Sequence, residues 1–125
     1  MSREAFGRTD EGKFTTLAVK ANGFVFTTGN IGYDPETGSL PPDIESQTRF
    51  TLMTLHRVLE SAGTSLENVI KVNVFMTEVE DEFERMNTAY DAYFKEHGIT
   101  EPPARTTIGA RFTWSKIEMD MVALA

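Results

Sequence analysis

Cysteine is absent from this 125-residue chain, which excludes disulfides and thiol chemistry alike. Long apolar runs are missing too, and nothing approaches the roughly 20 residues of a membrane-spanning helix. Cations are in short supply: 12 Lys and Arg stand against 19 Asp and Glu, for a net charge of −7. Such a chain repels phosphate backbones, and no basic run offsets the balance, so general nucleic-acid binding is disfavoured. Histidine occurs twice, at His56 and His97, in separate segments and without metal-ligand spacing, so no metal site is expected. The opening residues, Met1 to Phe6, lack the apolar core and cleavage site of a secretion signal. Together these absences predict a cytoplasmic protein with no membrane partner. With no repeat, low-complexity tract or linker, residues 1–125 are expected to form one domain. A domain this small leaves much apolar surface uncovered, which favours self-association.

What is present reads as an α+β pattern. Residues 1–12 are polar and expected to be irregular. A first strand is predicted over Phe14–Val19 and a second over Gly23–Thr28, the latter rich in aromatic and β-branched residues. Asp34-Pro35-Glu36-Thr37-Gly38 has the composition of a turn. Asp43 is a candidate N-cap for a helix that Gly63 closes. Val69–Met76 follows as a strand, with Ile70, Val72, Val74 and Met76 expected on one face. A second helix is predicted from Asp81 to His97, its stripe formed by Phe83, Met86, Tyr90, Tyr93 and Phe94. Two strands complete the chain, Arg105–Phe112 and Lys116–Leu124. Ile108, Ala110 and Phe112 are expected on the apolar face of the first. The order β-β-α-β-α-β-β places both helices on one face of a mixed sheet. The other face is expected to carry Lys71, Asn73, Phe75, Thr107, Gly109, Arg111, Glu118 and Asp120, and to be covered by a second copy of the chain.

Few residues invite chemistry. Arg105 opens a strand after Pro103-Ala104 and shares a face with the small residues Thr107 and Gly109. A planar guanidinium with that much room can dock a carboxylate bidentately. The plainer alternative is a surface arginine paired with an acid. Glu118 lies opposite the apolar face of its strand, beside Asp120. It either faces solvent or reaches a pocket near Arg105 on the adjacent strand, where a carboxylate can orient water. Asn87 interrupts a helix it does not favour. Thr28-Gly29-Asn30 bends at a strand end and exposes amides. Tyr90, Tyr93 and Phe94 read as core.

The pattern of these residues resembles the RidA family, also called YjgF, of enamine and imine deaminases. The resemblance runs from about Gly23 to the end of the chain. Pro103-Ala104-Arg105 followed by Ile117-Glu118-Met119 is similar to the family's signature. Thr28-Gly29-Asn30-Ile31, Asp34-Pro35-Glu36-Thr37-Gly38, and Asn87-Thr88-Ala89-Tyr90 with Tyr93-Phe94 resemble three further family motifs. The resemblance implies a chorismate-mutase-like fold, a homotrimer in which the sheets form a barrel, and a pocket at each subunit interface. It implies hydrolysis of small 2-imino acids, such as 2-iminopropanoate and 2-iminobutanoate, to 2-keto acids and ammonia, with no cofactor or metal. It assigns Arg105 to the substrate carboxylate and Glu118 to the attacking water, with Thr28, Gly29, Asn87 and Thr107 lining the pocket.

The chain departs from the family in several places. Thr107 stands where Cys is frequent, and Asn30 where Gln is usual. Phe112-Thr113-Trp114 replaces the usual Leu-Pro in a shorter loop. The family's N-terminal tyrosine has no clear counterpart, with Phe14 or Thr15 nearest in register. Alternative readings are a non-catalytic trimer that binds keto or amino acids, and a chorismate mutase. The mutase would need more cations than Arg105 and Arg111 offer, and ribonuclease activity fits poorly with the acidic balance.

Overall fold

A computed structural model describes residues 2–7 and 16–125 of the chain. Among them are six strands, β1 (Arg3–Phe6), β2 (Ala18–Ala21), β3 (Phe24–Thr27), β4 (Val69–Met76), β5 (Ala104–Gly109) and β6 (Ile117–Leu124). Two helices accompany them, α1 (Ile44–Ser61) and α2 (Val79–Glu96), with a short 3₁₀ turn at Leu66–Asn68. The strands form one sheet in the order β1-β2-β3-β6-β4-β5. Only β4 and β5 pair in parallel; every other neighbouring pair is antiparallel. The α+β, two-helix, mixed-sheet architecture predicted above is the one observed.

The helices start and stop where their end residues dictate. Asp43 caps α1, its Oδ2 accepting from the Ser46 amide at 2.8 Å. That bond holds the Asp43 carboxyl below the usual carboxylate range. At the far end Gly63 takes φ +83°, and the amides of Gly63 and Thr64 donate to the carbonyls of Glu60 and Leu59. Only a residue without Cβ adopts that turn freely. α2 closes the same way, with Gly98 at φ +75°.

Both helices lie on the sheet face lined by Val25, Val72, Val74, Met76, Ile117, Met119, Met121 and Ala123. From α1 come Ile44, Leu52, Leu55, Val58 and Leu59; from α2 come Met86, Tyr90, Tyr93 and Phe94. Gln47 is buried among them and ties two segments together. Its Nε2 donates to Pro41 O at 2.7 Å, and its Oε1 accepts from the Lys116 amide at 2.9 Å, at the threshold of β6.

Four sequence expectations change. Arg3–Phe6 is a strand rather than irregular chain; it is an edge strand in which only Phe6 is partly buried, so its sequence carries no apolar alternation. The predicted Phe14–Val19 strand is found as β2, starting at Ala18, and Phe14 and Thr15 lie outside the described residues. In β4 the register shifts between Val69 and Lys71, where β6 advances only from Ala123 to Val122. The extra residue turns Ile70 outward, to 41% exposure, and Val69 inward.

The fourth change concerns β5. Arg105, Thr107 and Gly109 pair with Val72, Val74 and Met76, and so face the helices. Ile108 pairs with Phe75 on the open face instead of joining the core. Thr107 and Gly109 therefore leave the open-face set, and Arg111 lies beyond the end of β5. What remains open is a face bearing Phe24, Phe26, Phe75, Ile108, Val122 and Leu124, mixed with Lys71, Asn73, Glu118 and Asp120. Asn73 Nδ2 donates to Asp120 Oδ1 at 2.8 Å, which pairs the second acid of β6.

Candidate active site

Arg105 lies at the start of β5, an edge strand, with its register partner Val72 in the core. Its side chain therefore rises toward α2. There Nη2 donates to Asn87 Oδ1 at 2.6 Å. The guanidinium carbon sits 4.7 Å from the centroid of the Tyr90 ring and 5.9 Å from that of Phe83. The rings attract the cation through their electron-rich faces without neutralising it. No ion pair involves Arg105 among the described residues. A guanidinium has five N–H donors, and Asn87 takes one of them. Beside it opens a cleft of about 430 Å³ lined by Asn87, Tyr90, Asp91, Pro102, Pro103 and Arg105.

Two buried hydroxyls lie on the same side of the sheet as the cation. Burial pushes the Tyr90 phenol up to about 12, with the Arg105 charge acting in the opposite direction. Tyr90 is thus neutral in ordinary conditions, and its hydroxyl has no partner among the described residues. The Thr107 hydroxyl, two residues along β5 on the same face, is likewise unpartnered. Unsatisfied buried groups cost stability, and such costs gather at functional sites.

Glu118 stands elsewhere. Its partner across the ladder is Phe75, so it emerges on the open face of the sheet. Trp114 Nε1–H donates to Glu118 Oε1 at 3.0 Å. A Cβ added to Gly29 would come within 2.6 Å of Glu118 Oε2, so Gly29 leaves the space that oxygen occupies. Thr28, the next residue back, is committed to the chain itself: its hydroxyl donates to the Thr16 carbonyl and its amide to Leu17 O at 2.9 Å. Asn30 bridges to Met119 through reciprocal backbone bonds of 2.8 and 3.0 Å.

The structure therefore gathers the predicted residues into two groups rather than one. Arg105, Asn87 and Thr107 lie on the helix side of the sheet. Glu118, Gly29 and Thr28 lie around the other end of β6. Of the two readings of Glu118, the one that has it reach a pocket near Arg105 from an adjacent strand does not hold within one chain, because β4 intervenes between β5 and β6. Level with Glu118, across Phe75, lies Ile108, three residues beyond Arg105. That is about 10 Å along the strand, and on the opposite face.

Three residues escaped the sequence reading as members of the site. Tyr90 and Phe83 belong to the α2 stripe, whose helical spacing is that of any core helix. Trp114 sits in a loop without periodicity. Its signal was compositional, since it is the sole tryptophan of the chain. The two histidines, distant in sequence, also meet: their rings lie 5.0 Å apart on the seam between the helices.

Comparison with known proteins places these features. The family model described as Endoribonuclease L-PSP matches residues 8–125. The 2-iminobutanoate/2-iminopropanoate deaminase of Salmonella typhimurium is 33% identical over 107 residues, 85% of this chain and 83% of that one. The crystal structure of Escherichia coli TdcF with bound serine superimposes with a TM-score of 0.83 at 30% identity, covering 97% of this chain and 93% of that one. The YjgF gene product of the same organism gives 0.82 at 30% identity, over 96% and 92%. With the motifs around Arg105 and Glu118 in place, the chain belongs to the RidA (YjgF) family.

Proposed function

We propose that this protein hydrolyses small 2-imino acids to 2-keto acids and ammonia in the cytoplasm, as a homotrimer whose sites lie between copies. The observation that carries this reading is a guanidinium held by an amide and two aromatic rings, without a protein carboxylate, at the edge of a cleft. Such a cation suits a ligand carboxylate. Arg105 fixes the acid group and with it the neighbouring C2 carbon. Asn87 orients the guanidinium, Tyr90 packs its ring against it, and Thr107 lies on the same side of the sheet.

Glu118 of another copy supplies the second half. One chain holds its two charged groups on opposite faces, too far apart for a single small acid. The open face, with Phe26, Ile108 and Leu124 each 47% exposed, offers apolar surface for association. Glu118 orients water toward C2 of the protonated imine. The water gives a proton to Glu118 as its oxygen bonds to C2 and the C=N π pair moves to nitrogen. Glu118 returns that proton to the amine nitrogen of the carbinolamine, the C–N bond breaks to release ammonia, and the hydroxyl loses its proton to solvent as it becomes the keto group. Positioning supplies most of the acceleration, since these imines already react with water.

The test is a coupled assay in which an amino-acid-consuming enzyme generates 2-imino acids and ammonia release is followed. Arg105→Ala should lower kcat/KM by about 100-fold or more. Wild-type rates in that variant overturn the assignment. The serine bound in the TdcF structure favours a second reading, in which the same cleft binds amino or keto acids without catalysis. It predicts keto-acid binding by the wild type with no acceleration of imine loss. RNA left intact by the pure protein separates both readings from the ribonuclease activity named in the family description.

A further inference from the structure

Glu118 is more tightly held than an open-face carboxylate needs to be. Trp114 contributes the indole N–H to Oε1 at 3.0 Å. The Trp114 ring is itself stacked on Phe112, with centroids 5.1 Å apart and planes 23° from parallel. Oε2 occupies the space left by the missing side chain of Gly29. The Trp114 side of this arrangement comes from a four-residue span between Phe112 and Ser115, and Lys116, which follows, is pinned by Gln47. Stacking limits the freedom of the indole, so the donor meets the carboxylate in one geometry.

We infer that Trp114 is the positioning residue for Glu118, holding one carboxylate oxygen so that the other is presented to the water it activates. The inference rests on the hydrolytic role of Glu118 proposed above, and it extends that role to the side chain that bonds the carboxylate. The N–H donor occupies one carboxylate oxygen and leaves the other free to accept. It also fixes the rotamer, and correct placement is the larger part of what a water-orienting base supplies.

Trp114→Phe retains an aromatic ring for Phe112 and removes the N–H. Its kcat should fall about tenfold or more, as for loss of a hydrogen bond to a charged group. KM should stay near the wild-type value, because Arg105 still grips the substrate. A purely structural role would lower stability in urea and leave the kcat of the folded enzyme in place. Gly29→Ala, which pushes on Oε2 from the other side, should produce the same separation of kcat from KM. An unchanged kcat in Trp114→Phe overturns the inference.

A second measurement needs no turnover. Because Trp114 is the sole tryptophan, intrinsic fluorescence reports on it alone. Its emission should shift in Glu118→Ala, which removes the acceptor of the indole N–H. Emission unchanged in Glu118→Ala removes the pairing and the inference with it. A wild type that fails to hydrolyse imines yet shows the Glu118-dependent emission would sink the hydrolase reading while leaving the pair intact.

Discussion

The surroundings of Arg105 set what its charge can do. An amide and two rings stabilise a guanidinium without cancelling it, whereas a carboxylate neighbour would have bound the same donors in a closed pair. The geometry also depends on the planar fork. In Arg105→Lys the ammonium is a point charge that cannot bond Asn87 and a bidentate carboxylate along one plane. KM for the imino acid should rise about tenfold or more, with a smaller change in kcat; steady-state kinetics over a series of substrate concentrations checks this. At this scale the sequence was informative where a residue type is unusual in its setting. Arg105 after Pro103-Ala104 and Glu118 opposite an apolar run both stood out. Tyr90 did not, because a tyrosine on the buried stripe of a helix looks the same whether its ring packs against methyl groups or a cation.

Among the elements, the two helices meet along a seam of paired rings. His56 Nδ1 lies 2.9 Å from the Tyr93 hydroxyl, and the His97 ring lies 4.3 Å from that of Tyr93. Arg49 covers Tyr93 and bonds Glu96 at 2.8 Å. Burial lowers the His56 pKa, the His97 charge adds to that, and Glu60 opposes it. A histidine depressed in the folded state binds fewer protons there than in the unfolded chain. Its contribution to stability is complete above the unfolded value of about 6.5 and is lost as the pH falls below it. The urea midpoint should therefore drop between about pH 7.5 and about pH 5.5, and drop less in His56→Gln. Equal slopes for the two proteins would remove His56 from the effect.

The existence of most elements was legible, because caps and periods are local: Asp43, Gly63 and Gly98 announce helix ends by their own chemistry. Faces were less legible. One inserted residue at Ile70 reverses the count of a strand without any mark in its composition. β5 has threonine at both positions 106 and 107, so alternation could not say which side was buried. Ile108 then weighed the choice toward the wrong side, because its apolar surface lies on the open face of the sheet.

For the whole molecule, the order of strands keeps Arg105 and Glu118 of one chain apart. No local signal reveals that β4 lies between β5 and β6, since pairing of distant segments is a property of the finished sheet. The consequence is testable by mixing. Arg105→Ala and Glu118→Gln should each be inactive alone. Unfolded together in equal amounts and refolded into mixed trimers, they should recover about one quarter of wild-type activity, because about one interface in four then unites an intact Arg105 with an intact Glu118. Ammonia release from the mixture reads the result, and activity no greater than that of the separate variants would place both groups of a working site within one chain.

The position of β5 at the rim of the sheet carries a last implication. Among the described residues no strand pairs with β5 on its outer flank, so in the homotrimer proposed above the far wall of the cleft falls to the subunit that docks there. Substrate choice then becomes a joint trait of two surfaces that never touch within one polypeptide. A change on the docking flank of one subunit can retune which acids its neighbour accepts, while every residue around that neighbour's guanidinium stays the same.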